Sequence, residues 1–289
     1  MSDIFLAVDW GTTNRRAFLI ENGAVVSTER DATGILAVPP GGFAAEIAAL
    51  RVRYGAVPMI LAGMVGSNRG WIDAGYVGCP AGLEALAAAA KTPIHGVHVI
   101  PGVSRIDDHR ADVMRGEEVQ LLGAVASGMA PHDALLCQPG THCKWATMQD
   151  GAITDFVTAM TGELFALLKG HALIGSAMAG EVANDTVFAQ GVADAADDDL
   201  LARLFGVRPA SLLGLRNDPD AASYVSGLLI GSDCRARLRH GGRDVFLLAD
   251  PVLGGLYATA ISANGGTAML VDSHAAFVAG IVRLWELMR

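Results

Sequence analysis

Residues 4–29 read IFLAVDWGTTNRRAFLIENGAVVSTE, and residues 134–157 read ALLCQPGTHCKWATMQDGAITDFV. In the first stretch Ile4–Asp9 is an apolar strand, Gly11-Thr12-Thr13 a turn, Arg16–Glu21 a second strand and Ala24–Glu29 a third. Asn22-Gly23 joins the last two strands. Both central residues of a type I′ turn need positive φ, which Asn and Gly tolerate. The second stretch has the same order: strand Ala134–Gln138, a turn at Gly140-Thr141, strand Cys143–Met148, an Asp150-Gly151 turn and strand Ala152–Val157. A three-strand meander therefore occurs twice, about half the chain apart.

The segments after each meander also match. The first half continues with a helix near Phe43–Tyr54, strand Pro58–Ala62, a helix around Leu83–Ala90 and strand Val97–Pro101. The second has a helix from Thr161 and a mostly helical insert to Arg239, in which Asp218 reads as an N-cap with Pro219 at the first position. Strand Val245–Ala249, a short helix from about Gly254, strand Ala268–Val271 and a helix from Ser273 close the chain. Each half thus reads βββαβαβ. The fold expected is α/β, with two mixed domains, 1–112 and 113–289, and an interdomain cleft. Gly227 and Gly231, four apart on a helix, predict close helix packing.

Composition narrows the function. The 289 residues are 52% apolar and 18% charged, which permits a large core and argues against disorder. A net charge of -9 and a pI near 5.3 argue against nucleic acid or an anionic membrane as the main partner, since both need a basic face. No apolar run reaches the roughly 18–20 residues of a membrane span. The acidic start, Met1-Ser2-Asp3, leads straight into a strand and lacks the pattern of a signal peptide. Cys79, Cys137, Cys143 and Cys234 have no CxxC spacing, so reduced thiols in a cytoplasmic protein are expected.

The repeated Gly-Thr turns carry the chemistry. Glycine lets a backbone approach an anion with its N–H groups, and threonine adds a hydroxyl donor. One such turn is an ordinary hairpin; two at matching places suggest a polyphosphate held from both sides. Asp9, at the end of the first strand, would repel phosphate unless a cation intervenes, which suggests Mg²⁺. Arg16 stands where it would neutralise transferring charge; a solvated strand end is its plainer reading. Val113–Met129 reads as a helix with Glu117 and Glu118 in its first turns. A carboxylate there serves either as general base or as a dipole partner, and spacing does not choose between them.

Several stretches together resemble one family. DWGTTNRRAF (Asp9–Phe18), AGMVGSNRGW (Ala62–Trp71), DVMRGEEVQLLGA (Asp112–Ala124), PGTHCKW (Pro139–Trp145), MTGELF (Met160–Phe165) and SGLLIG (Ser226–Gly231) span most of the chain. In that combination they resemble the 2-dehydro-3-deoxygalactonokinases, sugar-acid kinases of the hexokinase/actin/Hsp70 superfamily. The resemblance implies two ribonuclease-H-like, actin-like ATPase domains and ATP-dependent phosphorylation of 2-dehydro-3-deoxy-D-galactonate at its 6-hydroxyl, in galactonate breakdown. It implies that Asp9, Gly11, Thr12 and Thr13 form a first phosphate loop, with Asp9 toward Mg²⁺ and Arg16 beside it. Gly140 and Thr141 belong to a second loop on the adenosine side. Glu117 is the preferred base, with Glu118 close behind. Ser67, Asn68 and Arg69 hold the sugar, and Arg115, His142 or Lys144 bind its carboxylate. One departure falls at the adenosine site: Asp250-Pro251-Val252 replaces the usual small Gly-Ser/Thr turn, while Gly254 and Tyr257 remain. An Asp there either repels the nucleotide or hydrogen-bonds a ribose hydroxyl.

Two alternatives share these residues: a kinase for another keto-deoxy acid or sugar, and an actin-like nucleotide switch without transfer. The expected partners are a sugar acid and ATP, with a homodimer left open. Other features have plainer readings. The acidic run Asp194–Asp199 reads as a solvated turn before a helix, and His171, His240 and His274 as surface or capping residues.

Overall fold

The computed structural model describes residues 3–239 and 244–289, so His240 lies outside the described residues. The chain begins with β1 (Ile4–Trp10), β2 (Arg15–Glu21), β3 (Ala24–Asp31), α1 (Phe43–Tyr54), β4 (Met59–Ala62) and β5 (Tyr76–Gly78). It continues through α2 (Leu83–Ala89), β6 (Lys91–Ile94), β7 (Val97–Val99), β8 (Gly102–Ile106), β9 (Ala111–Met114) and α3 (Glu117–Ala126). The second meander is β10 (Ala134–Gln138), β11 (Cys143–Gln149) and β12 (Ala152–Ala159). Helices α4 (Thr161–His171), α5 (Thr186–Asp194), α6 (Leu200–Leu212) and α7 (Asp218–Leu238) come next. The chain closes with β13 (Asp244–Leu248), α8 (Pro251–Ala263), β14 (Thr267–Val271) and α9 (Ser273–Leu287).

Among the described residues, one sheet has the order β3-β2-β1-β4-β7-β6 and another the order β12-β11-β10-β13-β14. Without the added edge strand β6, both follow one plan. A meander lies at one side, and two crossover strands are added parallel beyond its first strand. The duplication expected from sequence is thus present in the strand order. Both hairpin turns have the required backbone, with φ of 50° at Asn22 and Asp150 and 79° at Gly23 and Gly151.

By packing, the chain forms two compact units. The first comprises Met1–Asp133, Thr147–Phe156 and Ser273–Arg289; the second comprises Ala134–Ala146 and Val157–Asp272. The halves 1–112 and 113–289 are the division expected from the repeat, whereas these units follow contacts. Helix α3 packs along α9, which groups both with the first unit. In that unit β1 is covered on both faces. Leu6, Val8 and Trp10 meet Ile47 and Leu50 of α1, while Phe5 stacks on Trp285 and Phe18 packs on Phe277 of α9. In the second unit Cys137, Val245 and Leu247 meet Leu256, Tyr257 and Ile261 of α8.

Several boundaries differ from expectation. The helix expected from Val113 begins at Glu117, because residues 111–114 pair with β8 and, with β5, make a small third sheet. The helix expected near Gly254 begins at Pro251, because Asp250 caps it by accepting from the N–H groups of Val252 and Leu253. Asn217, not Asp218, stands at the N-cap of α7, and the Asp218 carboxylate accepts from Ser211 instead.

Gly227 meets its expectation. A Cβ there would lie 2.2 Å from the Phe188 carbonyl oxygen on α5. Gly227→Ala is therefore expected to cost about 1–3 kcal/mol or more by overpacking. Gly170→Ala, on a helix position with open space around it, should be neutral or gain up to about 1 kcal/mol. Denaturant melts of both variants check this, and an equal response would contradict the packing.

Candidate active site

The strand β1 ends at a polar pocket. Asp9 stands opposite Arg16 in the β1–β2 register and beside Ala62 of β4. The loop after it is tied down by its carbonyls. Those of Gly11, Thr12 and Thr13 accept from the N–H groups of Ile35, Leu36 and Gly34. With the carbonyls engaged, the Thr12 and Thr13 N–H groups make no backbone hydrogen bond among the described residues, as in an anion-binding nest. Asp9, Gly11, Thr12, Thr13 and Arg16 line one cavity of about 160 Å³, with Arg30 at its edge. The Asp9 carboxylate makes no hydrogen bond or ion-pair contact among the described residues. Burial pushes its pKa up to about 6; Arg16 opposes this and Glu117 adds to it. A carboxylate held this way, facing a phosphate-sized cavity, suits a divalent cation.

Glu117 follows Gly116 at the end of β4, whose Ala62 pairs with Asp9, and its charge adds to the rise in the Asp9 pKa. Gly116, with φ of 104°, turns the chain into α3, and a Cβ on it would lie 3.1 Å from the Gly63 Cα. Glu117 is part-buried and accepts from the Arg115 N–H at 3.0 Å. Glu118 points inward instead. It is fully buried and accepts from the Gly116 N–H at 2.6 Å, while its Oε1 has no hydrogen-bond partner among the described residues. Burial, and then the charge of Glu117, pushes the Glu118 carboxyl up to about 8.

The loop after β4 holds the expected sugar contacts. The Ser67 hydroxyl is buried and donates to the Met64 carbonyl, fixing the turn, while Asn68 and Arg69 are exposed. Arg115 lies beneath this loop. Its Nη2 donates to the Gly75 carbonyl, its guanidinium stacks 4.3 Å from the Tyr76 ring centre, and Nη1 lies 3.1 Å from where a Gly66 Cβ would be. Its Nε and Nη1 are buried without a hydrogen-bond partner among the described residues.

The second unit repeats the loop. The Thr141 carbonyl accepts from the Glu163 N–H at the start of α4, as the first loop's carbonyls are tied to the segment after it. Beside Gly140 is a mostly apolar cavity of about 200 Å³, lined by Phe165, Leu229, Leu253, Leu256 and Tyr257. Asp250 is exposed and uses Oδ1 to cap α8. Gly254 is buried, packed against Leu270. His142 is exposed and pairs with Glu163, while Lys144 is buried with its ammonium donating to Thr158.

Sequence reasoning missed Asp233. This buried carboxylate accepts from the Trp145 indole N–H at 3.0 Å and from the Thr161 hydroxyl, and so anchors a residue lining the apolar cavity. The available signal was an acid inside the otherwise apolar run SGLLIGSDC.

This duplicated sheet, with a Gly-Thr loop in each unit and a carboxylate at the end of the first strand, defines a phosphotransferase of the actin-like ATPase fold. A model of the family described as 2-keto-3-deoxy-galactonokinase matches residues 9–284, and the chain belongs to that family. It is 36% identical to a Rhizobium meliloti (strain 1021) protein named "Probable 2-dehydro-3-deoxygalactonokinase", over 96% of this chain and 95% of the relative. It is 34% identical to the 2-dehydro-3-deoxygalactonokinase of Escherichia coli (strain K12), covering 97% of each chain. A crystal structure from Sinorhizobium meliloti, assigned as a 2-dehydro-3-deoxygalactonokinase, superposes with a TM-score of 0.91 at 34% identity, covering 97% of each chain. The activator of 2-hydroxyisocaproyl-CoA dehydratase from Clostridium difficile, solved with ADPNP, shares the fold alone, with a TM-score of 0.51 at 11% identity over 99% of this chain and 96% of its own.

The burial of Glu118 gives a pH test. Its folded pKa near 8 lies above its ordinary 4.5, so the folded chain keeps a proton that the unfolded chain loses. Stability therefore falls as pH rises from about 4.5 to about 8 and levels off above that. The corresponding effect of Asp9 fades by about pH 7 and is common to the wild type and Glu118→Gln, so their difference between pH 6 and 8 belongs to Glu118. There the wild type should lose up to about 1.4 kcal/mol per pH unit that Glu118→Gln does not lose. Denaturant melts at the two pH values measure it; parallel slopes would contradict a buried neutral acid.

Proposed function

We propose that this protein transfers the γ-phosphoryl group of Mg·ATP to the 6-hydroxyl of 2-dehydro-3-deoxygalactonate, giving 2-dehydro-3-deoxy-6-phosphogalactonate and ADP in galactonate catabolism. The observation that carries this reading is the packing of Gly116 on Gly63, which brings Glu117 to the end of β4, next to the Asp9–Ala62 pair and the first Gly-Thr loop. Phosphoryl transfer to an alcohol needs an acceptor for the hydroxyl proton, and this second carboxylate supplies one.

The chain's own groups divide the work. Thr12 and Thr13 offer N–H groups and Arg16 a positive charge to the phosphates. Asp9 would hold Mg²⁺, which when bound supplies charge neutralisation on the phosphates. The apolar cavity beside Gly140 suits a purine, and Asp250 has Oδ2 left over from capping to accept a ribose hydroxyl. Asn68 and Arg69 are exposed on the sugar loop, and Arg69 takes the acceptor's carboxylate with Arg115 adding positive charge from beneath. Lys144 is buried and His142 is paired with Glu163, so neither has a substrate role in this reading.

The acceptor's 6-oxygen forms a bond to the γ-phosphorus as the bond from that phosphorus to the bridging oxygen breaks. ADP leaves, and the hydroxyl proton passes to Glu117. Glu117 rather than Glu118 is the base, because a fully buried carboxyl has no access to a hydroxyl.

A coupled ADP-release assay with galactonate-derived and gluconate-derived 2-keto-3-deoxy acids tests the reaction. Acceptor-dependent ADP is expected, fastest with the galactonate-derived acid, and its absence with every acid would overturn the proposal. Glu117→Gln should lower kcat by about 10²–10⁴-fold, the usual share of a general base. Arg69→Ala should raise KM for the acid roughly tenfold or more, as loss of a charge-assisted contact of about 1.5 kcal/mol does. An unchanged kcat in Glu117→Gln would remove that residue from the mechanism.

A further inference from the structure

Helix α6 is apolar on two sides. Leu204, Val207 and Ala210 face the core of the second unit. On its outer side Leu201, Phe205, Arg208 and Leu212 recur at spacings of four, three and four, which keeps them on one stripe. Leu201, Phe205 and Leu212, with Leu213 and Leu215 just beyond the helix, are exposed to between 72 and 85%. Large apolar side chains left this exposed and close together mark an interaction surface rather than an ordinary monomer face.

The stripe is also self-complementary. Turned about a two-fold axis at its middle, it sets Leu201 against the partner's Leu212 and Phe205 against the partner's Arg208. Arg208 is exposed and makes no ion pair among the described residues, so its guanidinium is available for the face of an aromatic ring. The start of the helix is its acidic end. Asp197, Asp198 and Asp199 precede the helix, and Arg208 and Arg216 lie toward its other end. Asp197 is paired with Arg203, and Asp198 with Arg235 and Arg239, leaving Asp199 as the acid of that end without an ion-paired cation. An isologous contact needs this arrangement: one patch that meets its own copy, with unlike groups opposite each other.

We propose that the outer face of α6 is a two-fold interface between copies of this chain, with the two α6 helices antiparallel across it. The occupant is a second copy, because the register that buries the leucines also brings the unpaired arginine onto an aromatic ring.

Sedimentation at micromolar concentration tests both the interface and its register. The wild type should have twice the monomer mass of 29.9 kDa. Leu201→Glu and Leu212→Lys should each sediment as monomers with unchanged circular dichroism, since both positions are exposed. Mixing the two variants should restore the double mass, because in an antiparallel pair the introduced acid of one faces the introduced base of the other. A monomeric wild type, or single variants that stay dimeric, would overturn the interface. Monomeric singles that fail to recombine would overturn the antiparallel register.

Discussion

Two glycines set where the acidic groups of the first unit meet. Gly63 comes directly after β4 with φ of 94°, and Gly116 precedes α3 with φ of 104°. A Cβ on the first would lie 2.9 Å from the Trp10 carbonyl oxygen; one on the second would lie 3.1 Å from the Gly63 Cα. Neither place has room for a side chain. Because both are bare, the start of α3 sits against the end of β4, beside the end of β1. Glu117 is thereby brought to the end of β4, where its charge adds to the rise in the Asp9 pKa. L-residues with side chains rarely adopt such φ values, and only close packing around them holds the turn.

The same closeness has a cost that the structure distributes. Two acidic residues in succession begin α3, and they cannot both stay ionised inside the protein. Glu118 goes inward and is kept neutral over much of the working pH range; Glu117 remains part-exposed. Burial, and then the charge of Glu117, thus sets Glu118 apart as the neutral acid of the pair. In the second unit Asp233 is a further buried acid, held by Trp145 and Thr161 under the apolar cavity.

Much of the fold was legible because its signals are local. The two Asx-Gly turns fix their hairpins by backbone chirality, and the repeated order of strands and helices could be compared within one chain. The Gly-Thr loop with Asp9 was legible for the same reason: its residues are contiguous. What was missed depends on contacts between distant segments. The strand at residues 111–114 has no helical or alternating pattern of its own and exists by pairing with β8. The inward turn of Glu118 results from burial that no spacing reveals. Lys144 was named as a cation for the substrate carboxylate, yet it is buried on β11 between the buried Cys143 and Trp145. Asp250 looked like an intrusion at the nucleotide site, and the Pro251 after it is the sign that it begins a helix.

The proposed transfer depends on the closeness of Glu117 to Asp9, and this can be disturbed without altering either acid. The direct measurement is the single-turnover rate of phosphoryl transfer in Gly116→Ala at saturating Mg·ATP and acceptor. The added methyl pushes α3 off Gly63 and leaves the loop at residues 11–13 untouched. A fall in that rate of more than tenfold is expected, with nucleotide affinity nearly unchanged. A variant that folds and transfers at the wild-type rate would contradict the account.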